Sequence, residues 1–363
     1  MRVNILTQPL FCNYGGILQN YALQTVLKEL GCAPLTVNVP PVYPSKPALW
    51  KNALKTIRNG IMKVFGNYYT PFINPYTFAK KEHELSFPQR DFIKKHIIKV
   101  DIEGPFEPKI TEAYPSEAWI VGSDQVWRPW CAPFILNNFF DFIEEDSDIK
   151  RIAYAASFGT DKWEISEFHT EQIKQLINKF NGISVRELSG VDLCKKYLDA
   201  DAKCVLDPTL LLTSEQYLSL TSPGDTPKGD YIATYVLDIN KDKEKAIKNQ
   251  SREKQLSVVK LGQMHRNRFD SIESWIAGIA NAKYVITDSF HGTVFSLIFG
   301  KPVRILSNNV RGNSRLESLF TLLKLSIDDE GFVHLVEKSL LEKLRKESIS
   351  FIKDALKFNF KDI

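Results

Sequence analysis

Tyr284-Val-Ile-Thr-Asp-Ser-Phe-His-Gly-Thr-Val-Phe-Ser-Leu-Ile-Phe299 is the stretch whose reading decides the fold. An apolar strand, Tyr284 to Ile286, runs out into polar residues. His291-Gly292 follows, and an apolar helical pattern runs from Thr293 to Phe299. In open α/β sheets, ligands bind where strands end and helices begin. That placement puts His291 at a helix N-terminus beside Asp288, with backbone N–H groups suited to an anion. A histidine there can donate a proton near neutral pH. The position equally suits a structural histidine satisfied by a neighbouring carbonyl.

Outward from this stretch, strand and helix patterns alternate. Towards the N-terminus, strands are predicted at Val3–Leu6, Thr36–Val39, Ala118–Val121, Ile152–Ala155, Ile183–Val185 and Val205–Leu206. A helix is predicted over Ile17–Leu30, closed by Gly31. The turn-rich run from Thr221 to Asp230 reads as a linker. Beyond it come strands at Tyr231–Leu237, Ser257–Leu261 and Val303–Leu306, with helices at Lys241–Lys254 and Ser271–Ala280. A charged helical tail covers about 335–357. Alternation of this kind argues for parallel sheets covered by helices. At 363 residues the chain exceeds one ordinary core. The simplest architecture is α/β, with two Rossmann-like domains facing across a cleft. The first is expected over 1–222, with a basic amphipathic insertion at about 45–110, and the second over 229–363, including the tail.

Composition is that of an ordinary globular chain, 44% hydrophobic and 25% charged. No apolar run approaches the roughly 20 residues that span a bilayer, and the first residues lack a signal peptide's long apolar stretch. Five scattered cysteines (12, 32, 131, 194 and 204) fit a reduced, cytoplasmic compartment and match no metal-site spacing. Charge is uneven. Residues 1–81 hold nine Lys and Arg against one acid, Glu29, a net +8, which leaves −4 for the rest of a chain whose total is +4. An anionic partner for the N-terminal part follows. No nucleic-acid-binding signature accompanies the charge. Between 49 and 65, Leu49, Trp50, Ala53, Leu54, Ile57, Ile61, Val64 and Phe65 fall on one helical face, with Lys51, Lys55 and Arg58 opposite. This is the pattern of an interfacial membrane helix, and also of a helix packed on its own domain.

Four places join turn glycines to polar side chains at strand ends. Asn13-Tyr14-Gly15-Gly16 precedes the first helix and would let backbone approach a ligand closely. It matches neither a P-loop nor a dinucleotide fingerprint, so a plain tight turn remains open. Val121-Gly-Ser-Asp-Gln-Val-Trp127 offers Asp124 as a base, or a helix cap. Ser184-Val-Arg-Glu187 ends a strand in Arg186, whose guanidinium suits phosphate or carboxylate, or a pairing with its neighbour Glu187. Arg311-Gly-Asn-Ser-Arg315 could form an anion clamp or a solvated loop.

In this order along the chain, the motifs resemble those of the polysaccharide pyruvyltransferase family. Asn13-Tyr-Gly-Gly-Ile-Leu-Gln-Asn-Tyr-Ala-Leu-Gln24, Trp119-Ile-Val-Gly-Ser-Asp-Gln-Val-Trp127, Ser184-Val-Arg-Glu187, Leu206-Asp-Pro-Thr209 and Thr287-Asp-Ser-Phe-His-Gly-Thr293 carry the likeness, from about residue 10 to 325. The resemblance implies a GT-B-like fold, phosphoenolpyruvate as donor and a sugar ketal as product. It also implies Arg186 and His291 as donor-site residues. Many members place an arginine two residues before the histidine, where this chain has Ser289. Arg311 or Arg315 would then have to substitute.

The expected site has His291 as acid and Asp124 as base, with Glu187 or Asp288 as rivals for the base. Arg186, Ser289, Gly292, Thr293, Arg311 and Arg315 would bind the donor. Asn13, Tyr14, Gly15, Gly16, Gln19 and Gln125 would bind the acceptor. Neither a metal nor a resident cofactor is expected; phosphoenolpyruvate is a co-substrate. The expected acceptor is a sugar on a lipid-linked oligosaccharide, and the expected location is the cytoplasm, with peripheral contact at the inner membrane face through 49–65. Two other functions fit the same pattern: a GT-B-type glycosyltransferase using a nucleotide sugar, and a non-catalytic partner of an envelope assembly complex.

Overall fold

The computed structural model describes residues 1–40, 84–132, 134–265, 268–307, 314–334 and 337–357. The stretch 49–65 and Arg311 lie outside them. The first sheet holds seven parallel strands: β1 (Arg2–Leu6), β2 (Ala33–Asn38), β3 (Lys99–Asp101), β4 (Ala118–Val121), β5 (Lys150–Ala156), β6 (Gly182–Val185) and β7 (Lys203–Cys204). Their order is β3-β2-β1-β4-β5-β6-β7. Winding runs outward from β1 on one side and from β4 on the other. The β1/β4 junction is therefore the switch point at which such sheets open a ligand crevice. β4 is buried at every position, the continuous apolar run that a sheet covered on both faces requires.

The second sheet is built from β8 (Tyr231–Tyr235), β9 (Ser257–Lys260), β12 (Tyr284–Thr287), β13 (Val303–Ile305), β14 (Ser326–Ile327) and β15 (Val333–His334), and a small hairpin joins β10 (Met264–His265) to β11 (Arg268–Phe269). Its order is β14-β15-β13-β12-β8-β9. The four strands from β13 to β9 are parallel, and β15 runs antiparallel to β13. The α/β class and the two Rossmann-like units read from the sequence are thus present, and the C-terminal ends of β4, β6 and β12 meet in one place.

Several boundaries move. The first helix runs over Tyr14–Glu29, three residues earlier than its apolar pattern, because the Asn13 side chain accepts from the Gly16 N–H and caps it. Gly31, at φ +77°, follows its C-cap Leu30. The helix after β12 likewise begins early, at Phe290, capped by Ser289. The strand expected at Val205–Leu206 occupies Lys203–Cys204. The described part of the expected 45–110 insertion is no appendage: the helix Phe87–His96 leads into β3, which pairs in parallel with β2 and completes the sheet. Three half-polar edge residues carry no alternation by which to read a strand.

The tail is the larger correction. The helix Lys338–Leu356 returns to the first unit. Ser348 Oγ accepts from Leu206 N–H at 3.1 Å, Arg345 donates to the Leu210 and Leu212 carbonyls, and Lys150 donates to the Leu356 carbonyl. One apolar core runs through both units, from Ile5 and Leu18 to Trp275 and Phe295. Among the described residues no helix is long and apolar enough to cross a membrane.

Candidate active site

The site is built on a buried guanidinium. Arg186 leaves the end of β6 with its side chain wholly enclosed. Its Nη1 donates to Asp207 Oδ2 at 2.7 Å and to Ser123 Oγ at 3.3 Å, and its Nη2 donates to Asp124 Oδ1 at 3.0 Å. Glu187 Oε2 stands 3.9 Å from Nε. Three carboxylates therefore surround one cation, and burial of any of them is tolerable only with such pairing. Burial alone would raise the Asp207 carboxyl. Arg186, His291 and two hydrogen bonds from Thr209 outweigh it and hold Asp207 at about 2. The balance at Asp124 has the same sign: burial raises it, but Arg186, His291 and Arg315 bring it below the usual carboxylate range. Glu187 differs, because there burial prevails over Arg186 and pushes its carboxyl up.

Asp124 is no helix cap. It lies past β4 at φ 74°, and Ala155 opposite lies at φ 52°. Positive φ at a residue with a Cβ is uncommon and costs energy. That conformation lets Asp124 bridge to Ala156 while its side chain reaches Arg186. Asp124 Oδ1 takes two hydrogen bonds, from Arg186 and from Gln125 N–H; Oδ2 takes none among the described residues. Of the rival bases, Glu187 braces the chain after β5 by accepting from Phe158 N–H and Gly159 N–H. Asp288 is turned away: it accepts from Leu237 N–H, Asp238 N–H and Lys243 Nζ and fastens the β8 exit within its own unit.

The second unit adds three side chains. His291, in the first turn of the helix Phe290–Ile298, is 6% exposed, and its Nε2 has no hydrogen-bond partner among the described residues. That nitrogen is 3.8 Å from Asp207 Oδ2, too far for a hydrogen bond. Burial lowers its pKa more than Asp207 and Asp124 raise it, so the unliganded imidazole is neutral at pH 7. Phe290 lies between two guanidinium groups, Arg186 at 4.9 Å from its ring centroid and Arg315 at 5.7 Å. Arg315 is buried, and burial, with Arg186 nearby, lowers its pKa to about 10, so it remains charged at neutral pH.

Other expected donor residues serve the helix. Ser289 Oγ accepts from Gly292 N–H, Thr293 Oγ1 donates to the Ser289 carbonyl, and a Cβ on Gly292 would meet Thr287 Oγ1 at 2.3 Å. The expected acceptor residues divide. Tyr14 is buried, donates its hydroxyl to the Asp270 carbonyl at 2.6 Å and stacks on Trp275. Gln19 is buried, donating to Thr7 Oγ1 and the Gly16 carbonyl. Tyr14 thus serves the contact between the units, and Gln19 Oε1 is left without a hydrogen bond among the described residues. Gly16 packs on its cap, Asn13 is exposed, and Gln125 is half-buried. Gly15 touches the chemistry directly: a Cβ there would lie 2.0 Å from His291 Nδ1. Asp207, Ser123 and Phe290 were assigned no role from the sequence. Their signal lay in the Leu206-Asp-Pro-Thr209, Val121-Gly-Ser-Asp and Asp288-Ser-Phe-His291 motifs, whose spacing places polar residues at strand ends.

Fold and site together define a two-unit α/β protein whose charged centre joins strand ends of both sheets. The chain belongs to the polysaccharide pyruvyl transferase family, whose model matches residues 13–310. Among curated protein sequences none matches it. Solved structures resemble it at low identity. A putative UDP-N-acetylglucosamine 2-epimerase from Listeria monocytogenes is 10% identical, with 98% of this chain and 89% of that chain covered and a TM-score of 0.48. MnaA of S. aureus, solved with UDP, is 11% identical over 98% and 89%, with a TM-score of 0.47. Arabidopsis thaliana UGT89C1, complexed with UDP-L-rhamnose, is 9% identical over 97% of each chain, also at 0.47.

Proposed function

We propose that the protein transfers the pyruvyl group of phosphoenolpyruvate to a sugar of a cell-surface polysaccharide or its lipid-linked precursor, forming a cyclic ketal. The observation that carries this reading is the buried Nε2 of His291, which has no hydrogen-bond partner among the described residues and lies in the first turn of a helix, near enough to Arg186 and Arg315 to feel their charge. Arg186 spends its Nη atoms on Asp207, Ser123 and Asp124, so its part is to fix those groups and lend positive potential. Arg315, across Phe290 and charged at neutral pH, is a second cation for the donor and stands in for the arginine that Ser289 replaces. The N–H groups of the first helical turn add to it.

In the reaction we infer, the donor's negative charge draws a proton onto His291. Nε2–H protonates the methylene carbon of the enol, which becomes a methyl group, and the adjacent carbon becomes electrophilic. One sugar hydroxyl adds to that carbon, with its proton passing to Asp124. A second hydroxyl then displaces phosphate and closes the ring, its proton leaving on the phosphate. The products are a ketal bearing a methyl and a carboxylate, and inorganic phosphate. A lipid-linked acceptor fits the basic amphipathic sequence at 49–65. Flotation with anionic liposomes, lost on deleting those residues, is the expected result for that part.

Donor binding by calorimetry tests the reading. Phosphoenolpyruvate should bind wild type and lose at least tenfold in affinity in Arg315→Gln. Absence of binding, together with thermal stabilisation by a UDP-sugar, would transfer the assignment to a nucleotide-sugar transferase, the reading that Ser289 favours by offering no cation.

A further inference from the structure

Beside the charged centre lies a pocket of a different character. A cavity of about 340 Å³ opens at the C-terminal ends of β1 and β2, walled by Leu6, Val39, Phe106 and Phe134, with Gln8 and Asn138 among its polar groups. Among the described residues no charged side chain lines it. Gln8 Nε2 donates to the Gln125 carbonyl and Asn138 Nδ2 to the Val126 carbonyl, which leaves both amide oxygens without a hydrogen bond among the described residues. Thr7, also in the wall, donates to the Ser123 carbonyl, one residue from Asp124. Cys131 in the same wall is close enough to feel the Asp124 charge, which adds to burial in raising its thiol to about 11.

Next to Cys131, Trp130 is 73% exposed, a large apolar surface left in solvent. It is not on a loose loop. The Arg128 guanidinium lies 5.2 Å from its ring centroid and is itself clamped by both oxygens of Glu164 and by Gln125 Oε1. A fixed chain of contacts therefore leads from Asp124 through Gln125 and Arg128 to an exposed indole.

We propose that this pocket and Trp130 form a subsite for a neutral saccharide ring of the acceptor. A sugar ring has an apolar C–H face and a rim of hydroxyl donors. The first suits the aliphatic and aromatic walls and the indole, and the second suits the two open amide oxygens. The absence of charge in the wall disfavours the phosphorylated donor there, which the Arg315 side takes instead. The subsite rests on the pyruvyl-transfer reading only for the use made of the sugar.

The test is saturation-transfer NMR and tryptophan fluorescence with methyl glycosides of galactose, glucose, mannose, N-acetylglucosamine and N-acetylmannosamine. Wild type should bind at least one of them. Trp130→Ala, at an exposed position, should weaken it at least about tenfold, and Ala132→Phe, which fills the pocket, should abolish it. Thermal stabilisation by phosphoenolpyruvate should persist in both variants. A glycoside bound equally by all three proteins, or none bound by wild type, overturns the proposal. Loss of phosphoenolpyruvate stabilisation in wild type, with glycoside binding intact, would sink the donor reading and leave the subsite standing.

Discussion

The two units meet in two adjacent regions that hold together by opposite means. One is aromatic: Tyr14 of the first unit stacks on Trp275 and meets Tyr235 edge-on, with its hydroxyl on the Asp270 carbonyl. The Tyr14 hydroxyl there is satisfied within the fold, and Trp275 Nε1 is left without a partner among the described residues. The other is charged: Arg186 within three carboxylates, with His291 Nε2 and Arg186 Nε also without partners among the described residues. Unmade hydrogen bonds at buried atoms cost on the order of 1–3 kcal/mol each. The aromatic region is held by ring contacts, and the charged region sets its open polar atoms among three carboxylates and two guanidinium groups, where a charged ligand can meet them. Gly15, the residue after Tyr14, joins the two by lying against the His291 ring.

The largest expected effect breaks the charged region alone. Arg186→Leu leaves Asp124, Asp207 and Glu187 buried without their common partner. Removing one side of a buried ion pair costs about 3–5 kcal/mol, and urea unfolding should register at least that, if the variant folds. Arg186→Lys should not restore the loss, because one ammonium cannot reach Asp207 and Asp124 in the forked geometry of the guanidinium. A variant with wild-type stability would show that Arg186 is not the hub of the site.

Next in size is the joint between the regions. Glycine inside a helix costs roughly 0.5–1 kcal/mol against alanine, so Gly15→Ala and Gly16→Ala should each help the first helix. At Gly16 the added Cβ meets only the Asn13 side chain, at 3.3 Å; at Gly15 it meets His291 Nδ1 at 2.0 Å. Gly15→Ala should therefore lower turnover by about a hundredfold through displacement of the imidazole, and the clash with the buried ring should cost about 1–3 kcal/mol of stability. Gly16→Ala should stay near wild type in both respects. Equal activity in the two variants would detach His291 from the mechanism.

What the sequence made legible follows the same division. β4, β8 and β12 are short apolar runs ended by turn residues, so the sheets could be read directly. Asp124, Arg186 and His291 stand where strands end, and their convergence follows from the topology. The partners of Arg186 could not be read this way: Asp207 is 21 residues on and Asp124 is 62 residues back, and only folding shows that they occupy the guanidinium. The start of the first helix was misread because two glycines after a polar residue resemble a ligand loop, whereas Asn13 turns the same letters into a helix start. The edge strand β3 and the returning helix Lys338–Leu356 depend on long-range packing that no local pattern records.

The smallest effect is also the sharpest probe of the charged region, because it concerns one proton. In the free protein His291 is held below its usual 6.5, first by burial, so it is neutral at pH 7 and above. A bound donor carrying a carboxylate and a phosphate adds negative charge beside it and raises that pKa. A group whose pKa rises on binding takes up a proton, and affinity must fall as pH increases through the bound-state value. Calorimetry at pH about 8, well above the roughly 6 of a phosphate monoester, in buffers of different ionisation enthalpy should register up to one proton taken up per site. His291→Gln should take up none while still binding, since Arg315 and the helix N-terminus remain. Proton uptake that survives the substitution would move the acid to another residue. Glu187, whose pKa burial already raises, would then be the group to examine, because it alone among the three carboxylates is biased towards its protonated form.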